Sequence, residues 1–297
     1  MDTATATTTT TTPTTWPPAR TVDTHLGTIE YHDVGDGPVL LFVHLVLADA
    51  THWDRMVPLL ADRYRLLVPT LPLGAHRVPA DAGADLSIDG LARALDELLV
   101  HLGVDDVTIV GNDTGGAISQ VVAAGHHERI GRVVLTNCDM YDAFPPRIFS
   151  YFKVLPRVPG LTWLVGQVLR VRALWRLPFV FGRITNDVDA TKVRRWANAL
   201  LAKREIRRDV NAVIAAIGPH VTNDAAARLR DTTLPILVAW GADDRAFPPA
   251  LAERFCDEVA TAELVLIPDC KTLVCWDQPE RLAELIAGFV PRPVASA

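Results

Sequence analysis

The chain has 297 residues, 49% of them hydrophobic, enough to bury one large core or one core with a subdomain. A formal charge of −6 argues against nucleic acid or an anionic membrane surface as the main partner. The four cysteines form neither a C-x-x-C pair nor a zinc-ligand array, so they read as reduced thiols of a cytoplasmic protein, with a Cys270–Cys275 disulfide as the alternative.

Residues 1–19 form a Thr/Ala/Pro tract with almost no large apolar side chain before Trp16, and such a tract buries too little to offset the cost of ordering. A disordered tail is expected there. It has no basic start and no apolar centre, so it is not a secretory signal, and no apolar run elsewhere is long enough for a membrane span. Short apolar runs then recur at Val39–Val43, Leu66–Val68, Val107–Val110, Val133–Leu135, Ile236–Trp240 and Leu264–Ile267. Such near-continuous runs suit a parallel sheet covered on both faces. Helical patterns fall between them at about 52–62, 88–102, 114–126, 249–260 and 279–290. The alternation predicts an α/β fold with a mostly parallel, doubly wound sheet. It stops between about Met140 and Thr233, where prolines break helical stretches rich in Arg, Trp and Phe. The expected organisation is a core of residues 20–139 and 234–297 with a helical cap at 140–233. The basic run from Lys192 through Arg208 reads as a solvated helix face.

The segment Gly111-Asn112-Asp113-Thr114-Gly115-Gly116 joins a predicted strand to a predicted helix. A sharp strand-to-helix turn needs small residues around it and leaves the apex side chain strained and exposed at the end of the sheet. Here the apex is a carboxylate, Asp113. Phosphate-binding turns present backbone N–H groups and a lysine instead, and an acid at the tip would repel an anion.

With this G-x-D-x-G turn, the chain resembles the α/β-hydrolases, and within them the Asp-nucleophile branch of haloalkane dehalogenases and epoxide hydrolases. The other landmarks are His44 with Trp53 downstream, Leu71-Pro72-Leu73-Gly74, Trp240-Gly241-Ala242-Asp243-Asp244 and Asp277-Gln278-Pro279-Glu280. The resemblance implies that Asp113 attacks an electrophilic carbon and forms an ester, which a water activated by a histidine then hydrolyses. It implies an oxyanion hole from the N–H groups of Thr114 and Val46, a structural role for His44, and Asp244 as the acid behind the histidine. Asp243 is the fallback acid, and Asp139 occupies the position that some dehalogenases use. A helix N-terminus at Thr114 is expected to keep Asp113 ionised.

Three positions depart from the family pattern. The usual His-Gly pair is His44-Leu45, so a restricted, bulky residue stands beside the hole. The catalytic histidine position holds Thr272, whose hydroxyl is no base near neutral pH. The positions that clamp halide in dehalogenases are Thr114 and Val46 here, which disfavours a dehalogenase. His52, His76 and His220 are the candidate replacement bases. Cys270 and Cys275 flank the vacant position, where either would need a basic partner such as Lys271. Tyr141 and Tyr151 are the cap tyrosines that would protonate an opening epoxide. The expected pocket lies between turn and cap, with largely apolar walls from Leu45, Trp53, Tyr141, Phe144, Phe149, Tyr151 and Trp175.

The resulting expectation is a cofactor-free, metal-free hydrolase of a small apolar electrophile, an epoxide or ester-like molecule, with catalytic residues Asp113, Asp244 and Thr272. A cyclase, lyase or isomerase using Asp113 as base or orienting charge is the alternative, followed by an inactive small-molecule binder. Substrate identity and oligomeric state are beyond the sequence.

Overall fold

The structure is a computed structural model that describes residues 16–125 and 128–291. The first fifteen residues of the expected tail lie outside the described residues. Where the tail was expected to run on to residue 19, Trp16 instead stacks edge-on against His32 with ring centroids 4.5 Å apart, and the Pro17 carbonyl lies 2.9 Å from His32 Nδ1.

Eight strands form one sheet: β1 (Arg20–Thr24), β2 (Gly27–Val34), β3 (Val39–Val43), β4 (Arg65–Thr70), β5 (Val107–Asp113), β6 (Ile130–Cys138), β7 (Ile236–Gly241) and β8 (Ala262–Ile267). Their order is β1-β2-β4-β3-β5-β6-β7-β8. The pairs β1–β2 and β2–β4 are antiparallel, and the pairs from β4–β3 through β7–β8 are parallel. The sequence reading found the six strands from β3 onward. It missed β1 and β2, because β2 alternates buried and half-buried residues rather than running apolar throughout. The chain steps outward from β3 to β4 on one side and returns to β5 on the other. That reversal opens a crevice beyond the carboxyl ends of β3 and β5, where open α/β sheets bind their ligands.

Among the described residues ten α-helices accompany the sheet in chain order: α1 (Val57–Leu60), α2 (Ile88–Leu102), α3 (Thr114–Gly125), α4 (Leu161–Leu169), α5 (Ala190–Ala202), α6 (Arg204–Ala216), α7 (Pro219–Leu229), α8 (Pro249–Glu258), α9 (Val274–Asp277) and α10 (Pro279–Phe289). The first ten residues of α3, from Thr114 through Ala123, are all buried, which is why its apolar pattern has no polar stripe.

Between β6 and β7 lie α4 to α7 and two short 3₁₀ stretches. Two buried carboxylates tie α5 and α6 to the core. Asp49, after β3, accepts from Trp196 Nε1 and Arg195 Nε at 2.9 Å each. Asp209 on α6 accepts from Ala80 N–H at 2.9 Å and lies 3.1 Å from His76 Nε2. A buried carboxylate is tolerated when every lone pair it turns inward is answered in this way. Part of the basic run thus serves as cap anchoring: Arg195 and Arg208 pair with Asp49 and Asp209, and Lys192 is buried against Asp54.

Candidate active site

The local sequence dictates the turn. Gly111 lies two residues before the end of β5, Gly115 and Gly116 lie in the first turn of α3, and the space at each is taken. A Cβ on Gly111 would stand 2.6 Å from the Gly115 carbonyl oxygen, and one on Gly116 would stand 2.6 Å from Cys138 Sγ. Tight packing on both sides forces Asp113 into the left-handed region at φ 54°, a conformation that a non-glycine residue holds only when its surroundings impose it.

Asp113 is 8% exposed and lines a cavity of about 310 Å³. Its Oδ1 accepts from Thr114 N–H at 2.7 Å and from Thr114 Oγ1 at 3.0 Å. Among the described residues nothing donates to Oδ2. Burial pushes the Asp113 carboxyl above its ordinary value, against the two hydrogen bonds from Thr114. The expectation that the helix N-terminus alone decides its charge gives way to that burial.

The cavity walls are apolar apart from Asp113, Thr114, Asp139 and the Tyr151 hydroxyl, and among the described residues no Lys, Arg or His lines them. Leu45, Phe144, Phe149 and Tyr151 line it as expected, and Val46, expected at the oxyanion hole, lines it as well. Leu45 and Val46 sit where β3 leaves the sheet, so Leu45 forms wall rather than freeing space beside the turn. Leu164, Phe179 and Tyr151 line the cavity and are also exposed, which marks its mouth. Three expected wall residues are elsewhere. Trp53 is fully buried against Phe42, with ring centroids 4.9 Å apart. Trp175 is buried and donates its Nε1–H to the Leu169 carbonyl at 2.8 Å. Tyr141 carries the Arg254 guanidinium 3.6 Å over its ring and directs its hydroxyl to Glu258. None of the three is among the lining residues.

The sequence reading missed Trp196, Val193, Val213 and Ile217 as wall residues. Their apolar spacing on α5 and α6 was the available signal, but charges at mixed phases around them concealed the inward face. It named Asp139 only as an alternative acid behind a histidine. In the structure Asp139 lines the cavity itself.

Thr272 and Asp244 do meet, since Thr272 Oγ1 donates to Asp244 Oδ2 at 2.8 Å. Neither lines the cavity. Asp244 also accepts from Asn137 Nδ2 at 2.8 Å, Ala246 N–H at 2.7 Å and Phe247 N–H at 3.1 Å. This carboxyl, with donors on both oxygens, is pushed up to about 7 by burial against those bonds. The expected catalytic acid and Thr272 are therefore hydrogen-bonded to each other outside the cavity wall. Thr272→Val removes one donor at constant shape. Because the folded value already exceeds the ordinary one of about 3.9, Asp244 loses stabilisation as pH rises from about 4 through about 7, and the variant raises that value further. Urea denaturation is expected to show a cost of about 1 kcal/mol at pH 5 and about 2 kcal/mol at pH 8.5, where the missing bond was to a charge. Turnover at fixed pH should stay within about twofold of wild type, since no lining atom changes.

The candidate replacement bases are spoken for. His52 is fully buried, with Nε2 3.0 Å from Asn112 Oδ1 and 3.3 Å from Cys275 Sγ, and burial holds its ring well below the usual histidine range. His76 accepts from Gly74 N–H on Nδ1 at 3.2 Å, which leaves the proton on Nε2 facing Asp209. His220 is exposed at the start of α7. His44 accepts from Leu71 N–H on Nε2 at 3.0 Å and faces the Leu45 carbonyl with Nδ1 at 2.9 Å, which is the structural role expected of it. Cys270 and Cys275 are free thiols, pushed above their ordinary value by burial.

No helix among the described residues is long and apolar enough to cross a membrane. The family profile described as "alpha/beta hydrolase fold" matches residues 38–279. Haloalkane dehalogenase 2 of Mycobacterium tuberculosis is 28% identical over 275 residues, 90% of this chain and 93% of that protein. A 2-hydroxy-6-oxononadienedioate/2-hydroxy-6-oxononatrienedioate hydrolase of Cupriavidus pinatubonensis is 25% identical over 273 residues, 88% and 90% of the two chains. Among solved structures, an esterase of Thermogutta terrifontis superposes with a TM-score of 0.69 at 21% identity, covering 92% of this chain and 98% of that one. An epoxide hydrolase solved without ligand superposes with a TM-score of 0.74 at 18% identity over the same shares. The sheet order, the strained acidic turn and these matches agree: the chain belongs to the α/β-hydrolase fold family.

Proposed function

We propose that the protein is a hydrolase of a small, uncharged, apolar electrophile, an epoxide or an ester-like molecule, with Asp113 as nucleophile. One observation carries this reading. Asp113 has one oxygen held by the N–H and hydroxyl of Thr114 and the other without a donor, at the wall of an apolar cavity. A carboxylate oriented in this way presents a lone pair to a bound molecule, and burial strips the water that would blunt it.

The relatives' own substrates fit the cavity less well. Trp196 is the only tryptophan in the wall, and its N–H is taken by Asp49 at 2.9 Å. No indole is left to receive the halide that a dehalogenase releases. The dioate in the name of the second relative's substrate calls for cations, and the wall has none. An uncharged epoxide asks for neither.

Labelled water tests the reading. In a single turnover on 1,2-epoxyhexane in H₂¹⁸O, hydrolysis of an Asp113 ester puts the label into the Asp113 carboxylate and leaves the diol unlabelled. Label in the diol alone would show direct attack by water and sink the nucleophile role. That no described wall residue is a histidine favours a second reading, a non-hydrolytic rearrangement with Asp113 as base, for which neither product nor protein acquires label.

A further inference from the structure

The polar atoms of the cavity wall can be accounted for almost completely. Thr114 donates its hydroxyl to Asp113 at 3.0 Å. Tyr151 donates its hydroxyl to the Phe179 carbonyl at 2.8 Å, and burial pushes that phenol up to about 12. The Trp196 N–H is held by Asp49. What remains is Asp113 Oδ2 and Asp139 Oδ1.

Asp139 is 2% exposed, and its Oδ1 is buried with no hydrogen-bond partner. Its position follows from the sheet. Asp113 pairs with Cys138 across β5 and β6, and Asp139 is the next residue along. The two carboxyls therefore emerge side by side at the end of adjacent strands, with Thr114 between them acting on both. Among the described residues, no wall residue is a cation that would hold Asp139 ionised, and no histidine lines the wall that would need it as an orienting acid. An unpaired, buried carboxylate next to another carboxylate is costly, and the cost disappears when one of the two is protonated. Burial first, and the Asp113 charge second, hold Asp139 well above the usual carboxylate range. Of the two, Asp139, with its Oδ1 unpartnered, is the carboxyl that its surroundings more strongly favour in the protonated form.

Resting on the nucleophile reading of Asp113, we propose that Asp139 is the second catalytic residue, donating a proton to the oxygen released from an epoxide and then serving as base for the hydrolytic water. In the first step Asp113 Oδ2 forms a bond to an epoxide carbon and the carbon–oxygen bond breaks. The electron pair stays on that oxygen, which takes the Asp139 proton, so a hydroxyalkyl ester stands beside an Asp139 carboxylate. In the second step water adds to the ester carbonyl carbon and gives one proton to Asp139. Thr114 N–H and hydroxyl face the oxygen that becomes negative. The tetrahedral species then collapses, and the departing alkoxide takes the remaining proton of the added water. The diol leaves, with Asp113 charged and Asp139 protonated as at the start. One residue thereby supplies both the proton sought in the cap tyrosines and the base sought at position 272.

The test separates proton donation from nucleophilic attack. Two probes with the same six-carbon body are used: 1,2-epoxyhexane, whose leaving oxygen needs a proton, and hexyl methanesulfonate, whose leaving group does not. Formation of the Asp113 adduct is followed by rapid quench and peptide mass spectrometry in wild type and Asp139→Asn, with Asp113→Asn as the blank. Asp139→Asn is expected to slow adduct formation from the epoxide by about 10²- to 10⁴-fold, the range of a lost general acid, while adduct formation from the sulfonate stays within about threefold. Equal slowing with both probes, or slowing with neither, overturns the role of Asp139 and leaves the nucleophile standing. A wild-type protein that gains mass on Asp113 from neither probe takes down the nucleophile reading and this inference with it.

Discussion

Asp113→Asn is expected to abolish turnover, lowering kcat by at least about 10⁴-fold, the order seen when a reacting side chain is removed from a covalent mechanism. The fold should survive the change. The amide oxygen still accepts from Thr114 N–H, which reaches Oδ1 at 2.7 Å in the native protein, and the volume is the same. Stability should not fall either. Burial holds the native carboxyl above its ordinary value, so at neutral pH the unfolded chain ionises this group more readily than the folded one. Its charge therefore works against folding there, and a neutral amide removes that penalty. Thermal denaturation should give a Tm equal to or above that of wild type, beside a rate at background. An active site that gains stability when its chemistry is deleted is one built against its own fold. Turnover within tenfold of wild type would show that Asp113 is not the reacting group.

The sequence exposed this turn because several independent requirements coincide within six residues. An apolar strand, small residues at 111, 115 and 116 and an apolar helix admit few other geometries. The link between positions 244 and 272 was legible for a similar reason, since each sits at a fixed distance from a strand or helix end. What stayed hidden depends on side-chain direction in loops and in the cap. Trp53 and Trp175 have the size of wall residues, yet one packs on Phe42 inside the core and the other spends its N–H on the carbonyl of Leu169. Tyr141 is placed by Arg254 and Glu258, which lie more than a hundred residues away in sequence. Asp139 was read as an acid in search of a histidine because sequence shows what a residue is, not whether its oxygens have partners. Its unpaired Oδ1 is a property of the folded cavity alone.

Two glycine substitutions should separate the turn's packing from the ordinary helical preference for alanine. Gly115→Ala is expected to destabilise the protein by at least about 3 kcal/mol, the upper range for a single substitution. The new Cβ would stand 2.6 Å from the Val43 carbonyl carbon and 2.8 Å from the His44 carbonyl oxygen. Both are backbone atoms, so no side chain can rotate out of the way, and β3 and α3 must part. Val46 follows the end of β3 and Asp113 immediately precedes α3, so the parting also opens the cavity floor. Gly288→Ala makes the same chemical change on the exposed side of α10, where a Cβ meets nothing within 4 Å. There alanine should stabilise by about 0.5 kcal/mol, by lowering the entropy of the unfolded chain. Urea denaturation of the pair reads both signs. If Gly115→Ala cost no more than about 1 kcal/mol, the strand and helix would be free to yield. The strain at Asp113 would then come from the residue itself rather than from the packing around it.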